Sequence, residues 1–385
     1  MYNKHIHIIA FDLPYPPNYG GSTDMFFKIV ALKKLGIFIT LHVFLYGGKQ
    51  PSKDLEKEVD DFYYYPRKRR NPFAGTTPYI VRTRSSKKLL NRLLEDSDPI
   101  LFEGLHTTWC VEDPRLQDRI KIVRAHNVEH NYYEALAMAE ERIWKTQFFK
   151  LEAKRLKWYE QVLNSVQGIA AISPMETNYF LKEYGNKTQY IPAFHAHNEI
   201  ESKIGKGDFV LYHGNLSVPE NSRAASYLVE EVFSKLQVPC VIAGSNPPKS
   251  LVQSIEKYSH IELRANISTE EILGLIVNAH INLLVTFQST GIKLKLLNSI
   301  YKGRFVIANP NMVQETGLED LCRIGNTPKE LASLVNELFT KEFTAEHISQ
   351  RNAKMPYTFS NDINAKKLAK MLNLDSQNQD TKCIL

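Results

Sequence analysis

The sequence has few cysteines and no long hydrophobic run. None of its four cysteines forms a Cys-x-x-Cys pair, which argues against a disulfide framework and against a cysteine-based zinc cluster. The longest apolar runs, 37–44 and 281–285, have the length of β-strands, far below the roughly 20 residues of a membrane-spanning helix. The first residues show no signal-peptide pattern. We therefore expect a cytoplasmic protein with reduced thiols.

The composition is that of a globular protein. Of 385 residues, 43% are hydrophobic, 11% aromatic and 23% charged, which is enough apolar surface to build full cores. This length is two to three times that of a typical domain, so two domains are expected.

Strand-length apolar segments alternate with helical patterns along the chain. In the first half we predict strands over 5–11, 37–44, 100–103, 121–124 and 168–172, and a long amphipathic helix over 139–163. In the second half we predict strands over 209–213, 239–243, 260–263, 281–285 and 304–308, and one of the helices between them over 221–235. This alternation predicts an α/β fold class with two Rossmann-like, doubly wound parallel-sheet domains that face each other across a cleft.

A polar segment without helical periodicity, 192–207, separates the two halves. It places an N-terminal domain at 1–195 and a C-terminal domain at 207–355. The remaining residues, 356–385, are expected to form a helix and tail that pack back on the N-terminal domain.

Basic residues concentrate in one segment. The net charge is +6, and residues 67–88 hold eight Lys or Arg, Arg69 and Arg70 among them, and no acid. Aromatic residues are interleaved with these cations, a mixture that suits an anionic membrane surface or a nucleic-acid backbone. The alternative is a solvated loop and helix face. No nucleic-acid-binding motif is present, so we expect no nucleic-acid partner.

Polar motifs follow several of the predicted strands. Gly20 and Gly21 close a Pro-rich loop after the first strand, where the backbone can approach a phosphate or a sugar hydroxyl, or simply turn. His106 and His126 follow two further strands and can bind hydroxyl groups or transfer protons near neutral pH; the alternative is a structural histidine. The segment 124–130 leaves a strand rather than following a helix, so we predict no metal there.

Two further motifs differ in their expected roles. The triplet Asp-Ser-Asp at 96–98 precedes a strand, so we interpret it as a turn rather than as a metal-binding motif of sugar transfer. The loop at 287–291 leads into a helix that carries Lys293 and Lys295. Free N–H groups and lysines at a helix N-terminus predict a site for a diphosphate, and the alternative is that the lysines only solvate the helix.

The order of these motifs resembles that of the GT-B glycosyltransferases, in particular the retaining, family 4-like enzymes of bacterial polysaccharide and glycan assembly. The resemblance spans roughly residues 5–370. It rests on the Gly20-Gly21 loop, Arg-x-His-Asn-x-Glu at 124–129, Ala-Ala-Ile-Ser at 170–173 with Glu176, Tyr-His-Gly-Asn at 212–215 with Asn221, Val-Ile-Ala-Gly at 241–244, and the loop and helix at 291–303.

The resemblance implies transfer of a sugar from a nucleotide diphosphate sugar to a glycan or lipid-linked acceptor, by a metal-independent, retaining, hexosyltransferase-type enzyme without a cofactor. The C-terminal domain would bind the donor and the N-terminal domain the acceptor, at the inner face of the membrane. The expected catalytic residues are His126 and Lys295. The expected donor-binding residues are Gly20, Gly21, Gly214, Asn215, Gly244, Thr290, Gly291, Ile292, Lys293 and Asn298. The expected acceptor-binding residues are His106, Glu129, Arg69 and Arg70.

The sequence departs from the family pattern at two positions. The two glutamates of the family align with Thr290 and Asn298, and a neutral amide is a weaker acceptor than a carboxylate. This departure motivates an alternative, a catalytically silent protein of the same fold that binds a sugar nucleotide and supports a partner transferase. A sugar-nucleotide epimerase of the same architecture is a minor alternative.

Overall fold

The computed structural model describes residues 4–48, 50, 53–140, 142–287 and 294–374. The strands are β1 (His5–Ala10), β2 (Phe38–Leu45), β3 (Asp61–Pro66), β4 (Ile100–Glu103), β5 (Lys121–Ala125), β6 (Gly168–Ala171), β7 (Thr188–Tyr190), β8 (Val210–His213), β9 (Cys240–Gly244), β10 (Ile261–Ala265), β11 (Ile281–Leu284), β12 (Phe305–Ala308) and β13 (Arg323–Ile324).

The α-helices are α1 (Gly20–Lys34), α2 (Lys53–Lys57), α3 (Tyr79–Arg82), α4 (Lys87–Leu93), α5 (Glu129–Ala139), α6 (Ile143–Tyr159), α7 (Pro174–Tyr184), α8 (Pro219–Tyr227), α9 (Lys249–Ile255), α10 (Thr269–Asn278), α11 (Leu294–Lys302), α12 (Pro310–Val313), α13 (Pro328–Phe339), α14 (Ala345–Lys354) and α15 (Asn361–Met371). None of the helices in this described part of the chain combines the length and apolar character needed to cross a bilayer.

The chain forms two compact units, and the first contains the residues up to Ala196 and those from Thr358 on. Its sheet has seven parallel strands in the order β3-β2-β1-β4-β5-β6-β7. The strand order reverses between β1 and β4, which is where ligands bind in open parallel sheets. Helix α15 returns to this unit, because Leu368 joins Met25 and Ile29 of α1 in one buried core.

The second unit comprises His197–Tyr357. Its sheet has six parallel strands in the order β10-β9-β8-β11-β12-β13, so the same reversal occurs between β8 and β11. The core lies between the sheet and the helices, where Leu228, Val232 and Val335 are fully buried. The prediction of two α/β units with parallel sheets is confirmed.

Several predicted elements have different bounds. The predicted helix over 139–163 corresponds to α6, which spans Ile143–Tyr159, and the helix before it, α5, was not predicted. Strand β3 was not predicted, because the aromatic run that forms it lacks the alternation of polar and apolar residues. Gly20 and Gly21, expected in a loop, are the first two residues of α1.

Candidate functional site

In the first unit, aromatic and polar side chains meet where β1, β4 and β5 end. The His106 ring stacks on Phe11 with 4.9 Å between the ring centroids, and His126 contacts Phe11 edge-on at 5.4 Å. Glu129, the first residue of α5, places its Oε1 atom 3.8 Å from Nδ1 of His106. The structure therefore brings together three of the predicted site residues, which lie around Phe11.

The turn after β4 positions His106. Gly104 has a left-handed backbone conformation, with φ of +66°. A Cβ atom at this position would lie 2.8 Å from Nδ1 of His106. Glycine therefore adopts the left-handed turn without strain and leaves space for the imidazole ring of His106. The carbonyl oxygen of Phe11, whose ring stacks on His106, accepts a hydrogen bond of 2.9 Å from Nε of the buried Arg84.

Behind His126 lies a fully buried group of opposite charges. Nε2 of His126 lies 3.0 Å from Oε2 of Glu103. The ammonium group of Lys28 lies 2.7 Å from Oε1 of Glu103 and 2.9 Å from Oδ2 of Asp24. Asp24 in turn accepts a hydrogen bond of 2.7 Å from Nη2 of Arg124. The negative charges of Asp24 and Glu103 balance the positive charges of Lys28 and Arg124. The network that holds His126 therefore has no net charge and is rigid.

This network fixes the tautomer of His126. Burial alone would raise the pKa of Glu103, but the charge of Lys28 and the hydrogen bond from His126 outweigh it and hold that pKa below its ordinary value. The ionised Glu103 can only accept, so Nε2 of His126 donates the hydrogen bond. In the neutral ring the lone pair of His126 is then on Nδ1, where it can accept a hydrogen bond from a hydroxyl group.

Three buried polar atoms in this site have no hydrogen-bond partner among the described residues. They are Nδ1 of His126, Nδ1 of His106 and Oε1 of Glu129. Buried polar atoms are nearly always paired, so three unpaired atoms at the reversal of the strand order make this a candidate site for a polar ligand. We refer to this group, together with Phe11, as the strand-end site.

Burial also sets the charge of the strand-end site. Burial raises the pKa of Glu129 to about 8, despite a hydrogen bond from Asn127 that lowers it. Burial, followed by the charge of Arg84, lowers the pKa of His106 well below its usual value. At neutral pH the carboxyl group is therefore mostly protonated and the imidazole is neutral. Neutral donors and acceptors of this kind match the hydroxyl groups of a sugar.

In the second unit, the ends of β8 and β9 approach each other closely. The backbone N–H of Gly214 donates a hydrogen bond of 3.0 Å to the carbonyl oxygen of Ala243. A Cβ atom on Gly244 would lie 1.8 Å from the carbonyl oxygen of Gly214. Only glycine therefore fits at position 244.

Lys295 on α11 reaches this strand end. Its ammonium group donates a hydrogen bond of 2.7 Å to Oδ1 of Asn221, and Nδ2 of Asn221 donates one of 3.0 Å to the carbonyl oxygen of Asn215. The same ammonium group lies 3.3 Å from where a Cβ atom of Gly214 would be. The absence of a side chain at Gly214 therefore leaves space for the ammonium group of Lys295. We refer to Gly214, Asn215, Asn221 and Lys295 as the lysine site.

His213 lies beside the lysine site as the last residue of β8. Burial, followed by the charge of Lys295, lowers the pKa of His213 to about 3, so the ring is neutral. Its Nε2 atom has no hydrogen-bond partner among the residues that the structure describes. Nearby on α8, the guanidinium of Arg223 stacks over the ring of Phe287 at 4.5 Å. Cations and neutral polar groups at the ends of β-strands suit an anionic ligand.

The structure does not bring every predicted residue into these sites. Oδ1 of Asn298 accepts a hydrogen bond of 2.8 Å from Nε2 of His197. Arg69 and Arg70 are exposed in the loop that follows β3. The predicted donor residues Thr290, Gly291, Ile292 and Lys293 lie outside the described residues.

Sequence reasoning missed the groups that support His126. Asp24 and Lys28 lie four residues apart on the buried face of α1, beside Met25 and Ile29. A pair of opposite charges inside an apolar stripe was the available signal, but such pairs are usually solvated. His213 was also missed, although it stands in the Tyr-His-Gly-Asn motif at the end of a predicted strand.

Comparisons with known proteins relate the chain to one fold. No family model matches the sequence. A relative from Klebsiella pneumoniae, described as an uncharacterized 44.6 kDa protein in the cps region, is 25% identical over 334 residues, which cover 81% of this chain and 84% of the relative.

Solved structures resemble the chain over nearly its whole length. TarM matches with a TM-score of 0.66 at 12% identity, over 96% of this chain and 99% of TarM. A glycosyltransferase from Rickettsia africae matches with a TM-score of 0.63 at 13% identity, over 97% and 98% of the two chains. HepE of Anabaena, in complex with UDP and glucose, matches with a TM-score of 0.60 at 11% identity, over 96% and 98%. With its two parallel α/β units, the chain has the fold of the GT-B glycosyltransferases.

Proposed function

We propose that the protein is a glycosyltransferase that moves a sugar from a nucleotide diphosphate sugar to a glycan or lipid-linked acceptor in polysaccharide or glycoconjugate biosynthesis. The observation that carries the proposal is the strand-end site, whose three unpaired buried atoms match sugar hydroxyl groups. The fold, the relative in a cps region and the UDP and glucose complex of HepE support it.

In this proposal the lysine site binds the donor diphosphate. The ammonium group of Lys295 and the guanidinium of Arg223 neutralise the negative charge that develops on the leaving diphosphate. The glycines at 214 and 244 carry no side chain that would keep the diphosphate from the strand ends. Because the two cations supply the stabilisation, the proposed transfer uses no metal ion.

The strand-end site positions the reacting sugars. Nδ1 of His126 accepts a hydrogen bond from a sugar hydroxyl, while Glu129 and His106 contact the acceptor. In a retaining transfer, the acceptor oxygen bonds to the anomeric carbon on the face from which the diphosphate leaves. Its proton passes to the departing β-phosphate, so the enzyme supplies no base. The buried charges behind His126 keep the ring in the tautomer that this contact needs.

Donor binding is tested by thermal unfolding in the presence of nucleoside diphosphates and their sugars, with UDP among them. A ligand at 100 times its dissociation constant stabilises the protein by about 2.7 kcal/mol, so one nucleotide family should raise the unfolding temperature. Lys295→Ala should lose most of this shift. Lys302→Ala, a change on the same helix at an ion pair with Glu201, is the matched control and should keep it. No shift with any nucleotide would contradict the proposal.

We also propose that the enzyme binds the inner face of an anionic membrane. Met138, Ile143 and Trp144 are exposed where α5 and α6 meet. The loop with Arg69 and Arg70 continues to Phe73, which is half exposed and whose carbonyl oxygen accepts a hydrogen bond of 2.8 Å from Arg155 of α6. Cations and exposed apolar side chains on one surface suit lipid headgroups and the acyl boundary.

Vesicle sedimentation tests this surface. Binding should require phosphatidylglycerol in the vesicles, weaken with salt and fall about tenfold in Trp144→Ser, with a similar loss in the double variant Arg69→Glu and Arg70→Glu. Tyr357→Ser removes an exposed aromatic ring from the second unit and should bind as the wild type does. Binding that is independent of anionic lipid would remove membrane association from the proposal.

The catalytically silent alternative is favoured by one observation. Asn298, which stands where the family has a glutamate, hydrogen-bonds to His197. A silent protein would bind the donor at the lysine site without turning it over, so measurement of turnover separates the two functions.

A further inference from the structure

Two histidines and two aspartates meet at the amino end of the first sheet, opposite the end that carries the strand-end site. His5 and His7 are two apart on β1, so their side chains share one face of the sheet. Asp96 and Asp98 lie in the turn between α4 and β4. Nδ1 of His5 is 2.6 Å from Oδ2 of Asp98, and Nε2 of His7 is 2.8 Å from Oδ2 of Asp96.

The distances between the four side chains are close to those of a metal site. One ligand atom from each lies within 4.8 Å of the other three. In a tetrahedral zinc site with bonds of about 2.0 to 2.2 Å, ligand atoms are about 3.3 to 3.6 Å apart. Small side-chain rotations would therefore close the shell. The site can be formed without a change of the backbone.

Each candidate ligand is also held from behind. Nε2 of His5 lies 2.8 Å from Oγ1 of Thr40, and Nδ1 of His7 lies 2.9 Å from Nε2 of His42. Oδ1 of Asp96 accepts a hydrogen bond of 2.9 Å from Nη2 of Arg119. Outer contacts of this kind orient metal ligands and fix the tautomers of the histidines.

The contacts of His7 continue to a third ring. Nδ1 of His42 lies 2.9 Å from the hydroxyl oxygen of Tyr65. Without a metal, Tyr65 donates to His42, His42 donates to His7, and Nε2 of His7 donates to Asp96. With a metal on Nε2 of His7, each of the two histidines carries its proton on Nδ1 instead of Nε2. Nδ1 of His7 then donates to Nε2 of His42, and Nδ1 of His42 donates to the hydroxyl oxygen of Tyr65. The rings keep their places in both arrangements, and both histidines keep their hydrogen bonds.

We propose that His5, His7, Asp96 and Asp98 bind one Zn²⁺ ion in a closed, four-coordinate structural site. Imidazole and carboxylate ligands suit this ion, and the two carboxylates balance its charge. The site would join β1 to the turn before β4 and so stabilise the pairing of these two central strands of the sheet. It contributes no group to the strand-end site, so the proposed sugar transfer remains metal-independent.

Metal retention tests this site. The full-length protein is treated with a chelator, mixed with equimolar Zn²⁺ and passed through a desalting column, and the retained metal is measured. The wild type should retain about one Zn²⁺ per chain, the number a single four-ligand site holds. Asp98→Asn and His5→Gln, both at partly exposed side chains, should each weaken binding at least tenfold.

Two control variants identify the ligands. Asp54→Asn removes an exposed carboxylate on α2, and His126→Asn removes one of the two histidines of the strand-end site. Both should retain the metal. Co²⁺ added in place of Zn²⁺ should give the visible absorption of a four-coordinate ion in the wild type and in both controls. No retained metal in the wild type, or equal retention in Asp98→Asn and His5→Gln, would overturn the proposal.

Discussion

At the residue scale, burial decides the protonation of the groups around Phe11. Glu129 is almost completely buried, and its pKa is raised to about 8. The same cause lowers the pKa of His106. A carboxylic acid that holds its proton near neutral pH can donate a hydrogen bond, as a carboxylate cannot. In the proposed function, this protonation state lets the strand-end site offer both a donor and acceptors to a sugar.

The raised pKa predicts how stability depends on pH. An unfolded glutamate ionises near pH 4.5, and the folded Glu129 near pH 8. Between these values the folded state binds one proton more, so Glu129 destabilises the wild type increasingly as the pH rises. Glu129→Gln removes this titration. Its free energy of unfolding, relative to the wild type, should therefore increase by about 1 kcal/mol per pH unit between pH 5 and 7.5.

Urea unfolding at several pH values measures this difference. Glu134→Gln is the control, since Glu134 is an exposed residue on the same helix, and its difference from the wild type should be independent of pH. A Glu129→Gln difference that stays constant over the range would show that Glu129 ionises normally in the folded protein.

The sequence could predict the residues at strand ends but not those that support them. His106, His126 and Glu129 follow predicted strands, so the rule on ligand sites in parallel sheets selects them. The structure places them together, and their roles in transfer stay predictions. Lys28 could not be selected, because a helical lysine is usually solvated. Only the tertiary structure shows that it is buried between Asp24 and Glu103.

At the element scale, the second unit depends on the contact between the ends of β8 and β9. Gly244→Ala would place a methyl group 1.8 Å from the carbonyl oxygen of Gly214. Because that neighbour is backbone, the strands themselves must separate. We expect a destabilisation of about 3 kcal/mol or more, seen as a lower thermal unfolding temperature and weaker binding of the nucleotide.

Gly274 provides the matched control within the same unit. It lies inside α10, and nothing in the described structure is within 4 Å of where a Cβ atom would be. Gly274→Ala should stabilise the protein by about 0.5 to 1 kcal/mol, because alanine is the better helix former. Equal effects of the two substitutions on the unfolding temperature would contradict the proposed role of the strand contact.

Buried strands were predictable because their apolar runs have strand length. The predicted runs at 121–124 and 281–285 correspond to β5 and β11. The edge strand β3 was not predicted, because its aromatic residues do not alternate with polar ones. Helix α5 was not predicted, because its first residues belong to the polar segment 124–130 that follows a strand. Element bounds are set by local turns that periodicity does not detect.

At the scale of the whole molecule, the last helix completes the first unit. Leu368 of α15 is fully buried in the core that also contains Ile29 and Leu32 of α1. Leu368→Ala should destabilise this unit by about 2 to 5 kcal/mol and lower its thermal unfolding temperature. Lys366→Ala, at an exposed position of the same helix, should change it little. Similar unfolding temperatures for both variants would show that α15 does not contribute to the core.

The central claim is that the protein transfers a sugar, and turnover tests it most directly. Release of nucleoside diphosphate is measured with the donor that binding identifies, in the presence and absence of membrane and glycan extracts as acceptor. The wild type should release the nucleotide in an acceptor-dependent way. His126→Asn should bind the donor with similar affinity. Its rate of nucleoside diphosphate release should be about 100 times lower than that of the wild type. Donor binding without acceptor-dependent release in any extract would contradict the claim and establish the silent alternative.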